Sequence, residues 1–349
     1  SRMFADQSDE PADSRILEHF SLRDLDKETV KQYRQRFDAR DPNHPWLSLQ
    51  LPKFLEKVGA WRKERSSGKE GLTVAGLLMF GLAETIQDPE AVPQYQLDYR
   101  ERLSPDPAVR WTDRLTIDGT WGGNLFQFYQ RMLKKLSADL KIPFQLDKDL
   151  FRKDETIVHE AIREAVVNAL VHADYRGQGG IVIEKFPDRI ELSNPGILLI
   201  SWEQILQGGV SECRNKTLQK MFHLIGGGEK AGSGIDKIRQ GWASQHWRFP
   251  SIQERLHPDR VRLFLPMMSL IPEESLKRLG IMYGDRFHQL SKPEVEALVT
   301  ADLEGEVSNE RLREINPRHP TELTKILQRL ASNGFLTPHG KRRWTTYRL

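Results

Sequence analysis

Glu164, Asn168 and His172 recur every four residues within EAIREAVVNALVHADYRGQGG, residues 160–180. On a helix that interval stacks the three side chains along one face, one turn above the next. A carboxylate, a carboxamide and an imidazole in one stripe make poor core material. They are well suited to holding a metal-bound phosphate and a water. The Ala, Val and Leu residues around them favour a helix, and Gly177, Gly179 and Gly180 end it in a flexible loop. The plain alternative is an amphipathic helix whose polar face meets solvent.

Two glycine-bearing segments follow. Asn194-Pro195-Gly196 stops a strand and, taken alone, reads as a simple turn. Gly226 to Gly234 (GGGEKAGSG) is not a P-loop, because no Gly-Lys-Ser/Thr stands at the required distance, nor a dinucleotide fingerprint, because position 237 is Lys. As a lid it fits better. Backbone N–H groups at Gly232, Ser233 and Gly234, where the next helix opens, can cradle phosphate oxygens, and Lys230 adds charge. A flexible connector is the alternative. Arg214, Asn215 and Lys216 either reach phosphates or form a solvated turn, and Cys213 reads as inert.

These residues need elements to position them. Periodicity predicts helices over Asp26–Arg36, Pro52–Glu64, a buried Leu72–Leu82 and Trp121–Leu140. It predicts strands over Tyr95–Arg100 and Arg114–Ile117. The central segment reads as a helix over Ile157–Ala173, a hairpin of Ile181–Phe186 and Arg189–Ser193, short helices over Trp202–Leu206, Thr217–Leu224 and Ile235–Trp242, and a closing strand Val261–Leu265. Helices on one side of an antiparallel sheet make a two-layer α/β sandwich. The tail reads as three helices, Pro293–Ala301, Asn309–Ile315 capped by Ser308, and Glu322–Ser332 capped by Thr321. A hairpin follows, with a basic tip over Pro338–Arg343. That order is a winged helix-turn-helix pattern.

Composition narrows the class. With 349 residues, 38% hydrophobic and 29% charged, the chain has room for two or three folded domains and is not disordered by composition. Its longest apolar run, about 12 residues from Leu72 to Ala83, is short of the ~20 a membrane span needs, so no membrane partner is expected. One cysteine, Cys213, excludes an internal disulfide and fits a reducing, cytoplasmic setting. There is no zinc-type Cys/His spacing. The 52 Lys and Arg against 49 Asp and Glu give a net charge of +3. From Glu310 to Leu349, nine cations face three carboxylates, which leaves +6 on the last forty residues. That excess points to a polyanion partner. Arg318, Thr324, Lys325 and Arg329 lie on or before the third tail helix, and Lys341, Arg342 and Arg343 on the wing. Cations flanking short polar side chains suit double-stranded DNA, though such domains also serve protein contacts.

The order and spacing of Glu164/Asn168, Asn194-Pro195-Gly196 and Gly232-Ser233-Gly234 resemble the Bergerat (GHKL) ATP-binding fold of gyrase, a heat-shock chaperone, histidine kinases and a mismatch-repair protein. REAVVNALVHADY, ELSNPG and GEKAGSGI resemble, more closely, a bacterial family of ATP-binding transcriptional regulators. In that family a Schlafen-like domain precedes the ATPase-like domain and a winged helix ends the chain. The resemblance implies a linking region and Schlafen-like remnant over 1–118, a GHKL ATPase-like domain over 119–270 and a winged helix-turn-helix over 271–349. Residue 1 would fall near the end of the family's N-terminal domain. It implies ATP and Mg²⁺ as cofactors, Asn168 as the metal ligand and Glu164 as the general base, with His172 meeting phosphates or ending the helix. Asn194 and Gly196 would receive adenine. Asn194 departs from the pattern's Asp, since its carbonyl accepts but its NH₂ donates. The expected function is an ATP-binding, DNA-binding regulator, with a homodimer left open. The alternatives are an ATPase component of a nucleic-acid-processing or phage-defence system, and a non-hydrolysing nucleotide sensor.

Overall fold

The computed structural model describes residues 11–138, 140, 156–201, 204–205, 212–228, 234–245, 247–268, 271–316, 318–340 and 345–349. It is an α/β protein, and its chain divides into two compact units. One comprises Ser1–Gln245 with Pro250–Leu265, and the other His246–Phe249 with Pro266–Leu349.

The first unit opens with α1 (Lys27–Arg40), whose N-terminus is capped by Asp26 accepting from Glu28 N at 3.1 Å. α2 (Leu51–Val58) is shorter than the predicted Pro52–Glu64 helix. Gly59 takes φ +99° and stops it, and Trp61–Lys63 forms β1 instead, antiparallel to β2 (Glu70–Leu72). α3 (Val74–Phe80) is buried along its whole length, as an unbroken apolar sequence requires, and Thr73 caps it. α4 (Ala83–Ile86) follows.

The main sheet has six strands in the order β4-β3-β5-β6-β8-β7. They are β3 (Leu97–Glu101), β4 (Asp113–Thr116), β5 (Ile181–Lys185), β6 (Arg189–Pro195), β7 (Ser251–Arg255) and β8 (Arg260–Pro266). β3 lies parallel to β5, with Leu97 opposite Ile181, so the sheet is mixed rather than purely antiparallel as the sequence implied. β3 and β4 precede residue 118, yet they pair in the same sheet as the central strands. Side chains alternate along β5: Ile181 and Ile183 are buried, while Val182 and Glu184 are half-buried. Among the described residues this part also contains the helices α5 (Leu125–Ser137), α6 (Ile157–Val171), α7 (Lys216–Leu224) and α8 (Gly234–Ser244). The predicted Trp202–Leu206 helix lies largely outside the described residues.

The second unit contains α9 (Glu273–Tyr283), α10 (Asp285–His288), α11 (Lys292–Glu304), β9 (Val307–Ser308), α12 (Asn309–Ile315), α13 (Pro320–Ser332), β10 (Thr337–His339) and β11 (Thr346–Arg348). The strands form a sheet in the order β10-β11-β9. Ala297, Leu298, Leu312, Leu323, Leu327 and Leu330 centre its own core. Ser308 caps α12 as expected, accepting from Arg311 N at 3.1 Å. Thr321 does not cap α13. That helix starts two residues earlier than expected, at Pro320, with His319 as its cap. Proline has no N–H to satisfy and a φ already suited to the first helical position, so it is favoured there.

Candidate functional site

α6 carries the stripe and is held at both ends. Thr156 closes its first turn in a reciprocal box with His159, Oγ1 to Nδ1 at 2.8 Å. At its C-terminus, Asn215 Nδ2 donates to the carbonyls of Val171 and Ala173 at 2.9 and 2.8 Å, and Arg214 Nε donates to His172 O at 3.2 Å. Those carbonyls have no partner within the helix, and these side chains, with Asn215 N donating to Val171 O at 3.0 Å, supply them. Arg214 and Asn215 are buried. They are scaffold rather than the solvated turn or phosphate contact read from sequence. Lys216 stays exposed, 3.7 Å from Glu212. Cys213 is buried too, and burial pushes its thiol up to about 12, which keeps it inert at neutral pH.

Along its length α6 is pressed by α8. A Cβ at Gly241 would lie 2.5 Å from Ala161 Cβ and 3.1 Å from Ile157 O, so the helices touch backbone to backbone. That approach brings Gly234, the first residue of α8, against the stripe. A Cβ at Gly234 would overlap Glu164 Oε1 and stand 3.1 Å from Asn168 Nδ2.

Between α6 and the sheet lies a cavity of about 150 Å³. It is roughly ten times what one water needs. Glu164, Asn168 and His172 line it from α6, Asn194 from β6, and Gly234 from α8, opposite an apolar wall that includes Leu192, Ile252 and Leu263. Glu164 is 6% exposed, so the stripe faces this cavity and not bulk water. Asn194 is equally buried and directs Nδ2 to Pro195 O at 3.3 Å. That bond engages one of the donor hydrogens that set Asn apart from Asp. Gly196, buried with φ +115°, is not among the lining residues, and its left-handed backbone is what favours glycine there. His172 is half-buried at the end of α6. Burial, then the Arg214 guanidinium, push its imidazole down to about 4, so it is neutral at pH 7.

Lys230, Gly232 and Ser233 lie outside the described residues, as do Lys341, Arg342 and Arg343. Of the tail's other candidates, Lys325 is exposed, Arg318 pairs with Glu322 at 3.3 Å, and Arg329 pairs with Glu294 at 3.4 Å while 60% exposed. Thr324 turns inward: its hydroxyl donates to Pro320 O at 3.0 Å and accepts from Asn309 Nδ2 at 2.8 Å.

The sequence did not single out the apolar wall or the Asn215 clasp. Val261–Leu265 carried the alternation that could have found Leu263. Ile252 lies on the polar edge strand SIQER, which has no such signal.

Residues 178–265 match the family described as "Putative ATP-dependent DNA helicase recG C-terminal". This part of the chain is similar to an ATPase-like domain. The match covers Asn194, Gly196 and Gly234, and begins after α6 with its Glu164 and Asn168. Residues 1–98 match a domain family of unknown function, DUF8451. No curated protein matches the chain. Among solved structures, the DIP2311 protein from Corynebacterium diphtheriae is similar at 15% identity with a TM-score of 0.56, over 98% of this chain and 71% of that one. At that identity the likeness is one of fold. Among the described residues no helix is long and apolar enough to cross a membrane.

Proposed function

We propose that this chain binds ATP with Mg²⁺ in the cavity between α6 and the sheet, and that it is a DNA-binding regulator responsive to that nucleotide. One observation carries the reading. Five residues named from the sequence, Glu164, Asn168 and His172 by their spacing and Asn194 and Gly234 by the motifs that carry the resemblance, come from three elements and line one cavity. The ATPase-like match over 178–265 supports it.

The donor set suits Mg²⁺. The described residues hold no cluster of three or more His, Cys, Asp and Glu side chains that could cage an ion unaided. Mg²⁺ instead takes one or two protein oxygens and completes its shell with phosphates and waters. Asn168 and Glu164, cradled by the bare Gly234 backbone, present that donor set. The ion would neutralise phosphate charge and polarise the terminal phosphorus. Asn168 would hold the ion through its amide oxygen. Glu164 orients a water and takes its proton. Neutral His172 can donate or accept without adding charge, and the wall of Leu192 and Leu263 excludes water from the base. In the second unit, Arg318, Lys325 and Arg329 on and before α13 give the DNA-facing side of a winged helix, with phosphates as their first partners.

Calorimetric titration with Mg²⁺–ATP tests the reading. The wild type binds. Asn168→Ala weakens binding at least tenfold, and Glu164→Gln keeps binding but slows turnover by about 10²-fold or more. A wild type that binds no nucleotide would refute it.

A further inference from the structure

A second cavity, about 430 Å³, opens on the other side of Glu164. Glu164 lines both. Four cations line the second: Arg36 and Arg40 from α1, Arg163 from α6 and Lys237 from α8. The carboxylates among them are Glu160 and Glu164, and Glu160 pairs with Lys237 at 3.1 Å. The backbone of Gly226, Gly227 and Gly228 supplies another side. Arg163 Nη1 leans on Gly226 O at 3.4 Å, and Arg40 Nη1 donates to His223 O at 2.6 Å. Burial pushes the Arg163 guanidinium down, and the charges of Arg36 and Arg40 add to that, while Tyr129 and Glu164 push it the other way. Four cations against two carboxylates leave this hollow with a surplus of two positive charges, which favours an added anion.

The two cavities therefore differ in chemistry. One is walled by apolar side chains around Asn194, the other by guanidinium groups, and Glu164 stands between them. We propose that the terminal phosphate of the bound nucleotide enters the cationic cavity and is contacted by Arg36 and Arg40. The N-terminal helix would then read whether the nucleotide is a triphosphate or a diphosphate. This rests on the nucleotide reading above. Arg36 and Arg40 are four residues, about one turn, apart at the C-terminal end of α1, so one helix face presents both. Guanidinium groups bind phosphate oxygens in pairs and hold their charge in a partly buried site. α1 also belongs to the segment matched by a different family from the ATPase-like part. A phosphate contact there links nucleotide state to the N-terminal region directly.

The test compares Mg²⁺–ADP with a non-hydrolysable Mg²⁺–ATP analogue by calorimetry on the full chain. The wild type binds the triphosphate about tenfold tighter. Arg36→Gln removes most of that preference and leaves ADP affinity within about twofold, and Arg36→Lys restores part of it. Arg40→Gln acts in the same direction. Because Arg40 also holds His223 O, thermal unfolding of each variant shows whether the fold is intact, and Arg36→Gln carries the test if the Arg40 variant is unstable. Equal affinities in the wild type would overturn the inference and leave the nucleotide site standing. So would a preference that survives in Arg36→Gln, or a loss of affinity for both ligands alike in that variant. Absence of any nucleotide binding to the wild type would overturn both.

Discussion

The missing side chain at Gly234 leaves the Glu164 carboxylate and Asn168 amide their present positions. A methyl group there would overlap the Glu164 carboxylate. Gly234→Ala should therefore weaken Mg²⁺–ATP binding more than tenfold while shifting Tm by only a few degrees, since Gly234 is merely the first residue of α8. Calorimetry and thermal unfolding on the same preparation separate the two effects. Asp13 gives a second residue-scale prediction. Its buried carboxylate accepts from Leu218 N at 2.8 Å, and burial pushes it up from 3.8 to about 6. A raised carboxyl favours the protonated native state, so this contribution is complete below about pH 4 and is lost as pH rises through 6. Relative to Asp13→Asn, the wild type should lose on the order of 2–3 kcal/mol of stability between pH 4 and pH 7, read by urea unfolding at each pH. A constant difference would show that the carboxyl is not buried. His172 works in the opposite sense. Its depressed pKa favours the neutral native state, so its contribution is present above pH 6.5 and lost as pH falls toward 4.

At the scale of elements, the site depends on how α6 is clasped. Asn215→Ala leaves the carbonyls of Val171 and Ala173 without their side-chain donor, and should cost about 1–3 kcal/mol. Gly241→Ala forces a methyl into Ala161 and should cost a similar amount by overpacking. Chemical denaturation measures both, and a change under 0.5 kcal/mol in either would contradict the packing described. Periodicity made α6, the β5–β6 hairpin and the buried α3 legible, because each writes its burial into the spacing of apolar residues. Gly59 was visible as a residue but not as a helix stop. β7 was hidden because it is an edge strand of polar residues, and α9 drew no notice in an amphipathic stretch without a cap motif. The parallel pairing of β3 with β5 depends on contacts about 85 residues apart, which no local pattern encodes.

At the scale of the whole molecule, two units with separate cores carry separate parts of the proposal. Leu327, 1% exposed in the second unit, should cost 2–5 kcal/mol when replaced by Ala, and that loss should leave the intrinsic affinity for Mg²⁺–ATP unchanged. For DNA, Lys325→Ala should reduce the slope of log affinity against log salt by about one, and an unchanged slope would remove α13 from the interface. The stripe on α6 could be named from sequence because its four-residue interval is a local pattern, and the Asn194 turn because its motif resembles a known one. The cationic cavity could not, because Arg36, Arg40, Arg163 and Lys237 come together only through folding.

The most direct measurement is an experimental structure of the chain with Mg²⁺ and a non-hydrolysable ATP analogue. The adenine should lie beside Asn194 against Leu192 and Leu263, with the ion on Asn168 and the phosphates running past Glu164. A nucleotide found elsewhere, with that cavity filled only by water, would contradict the central claim.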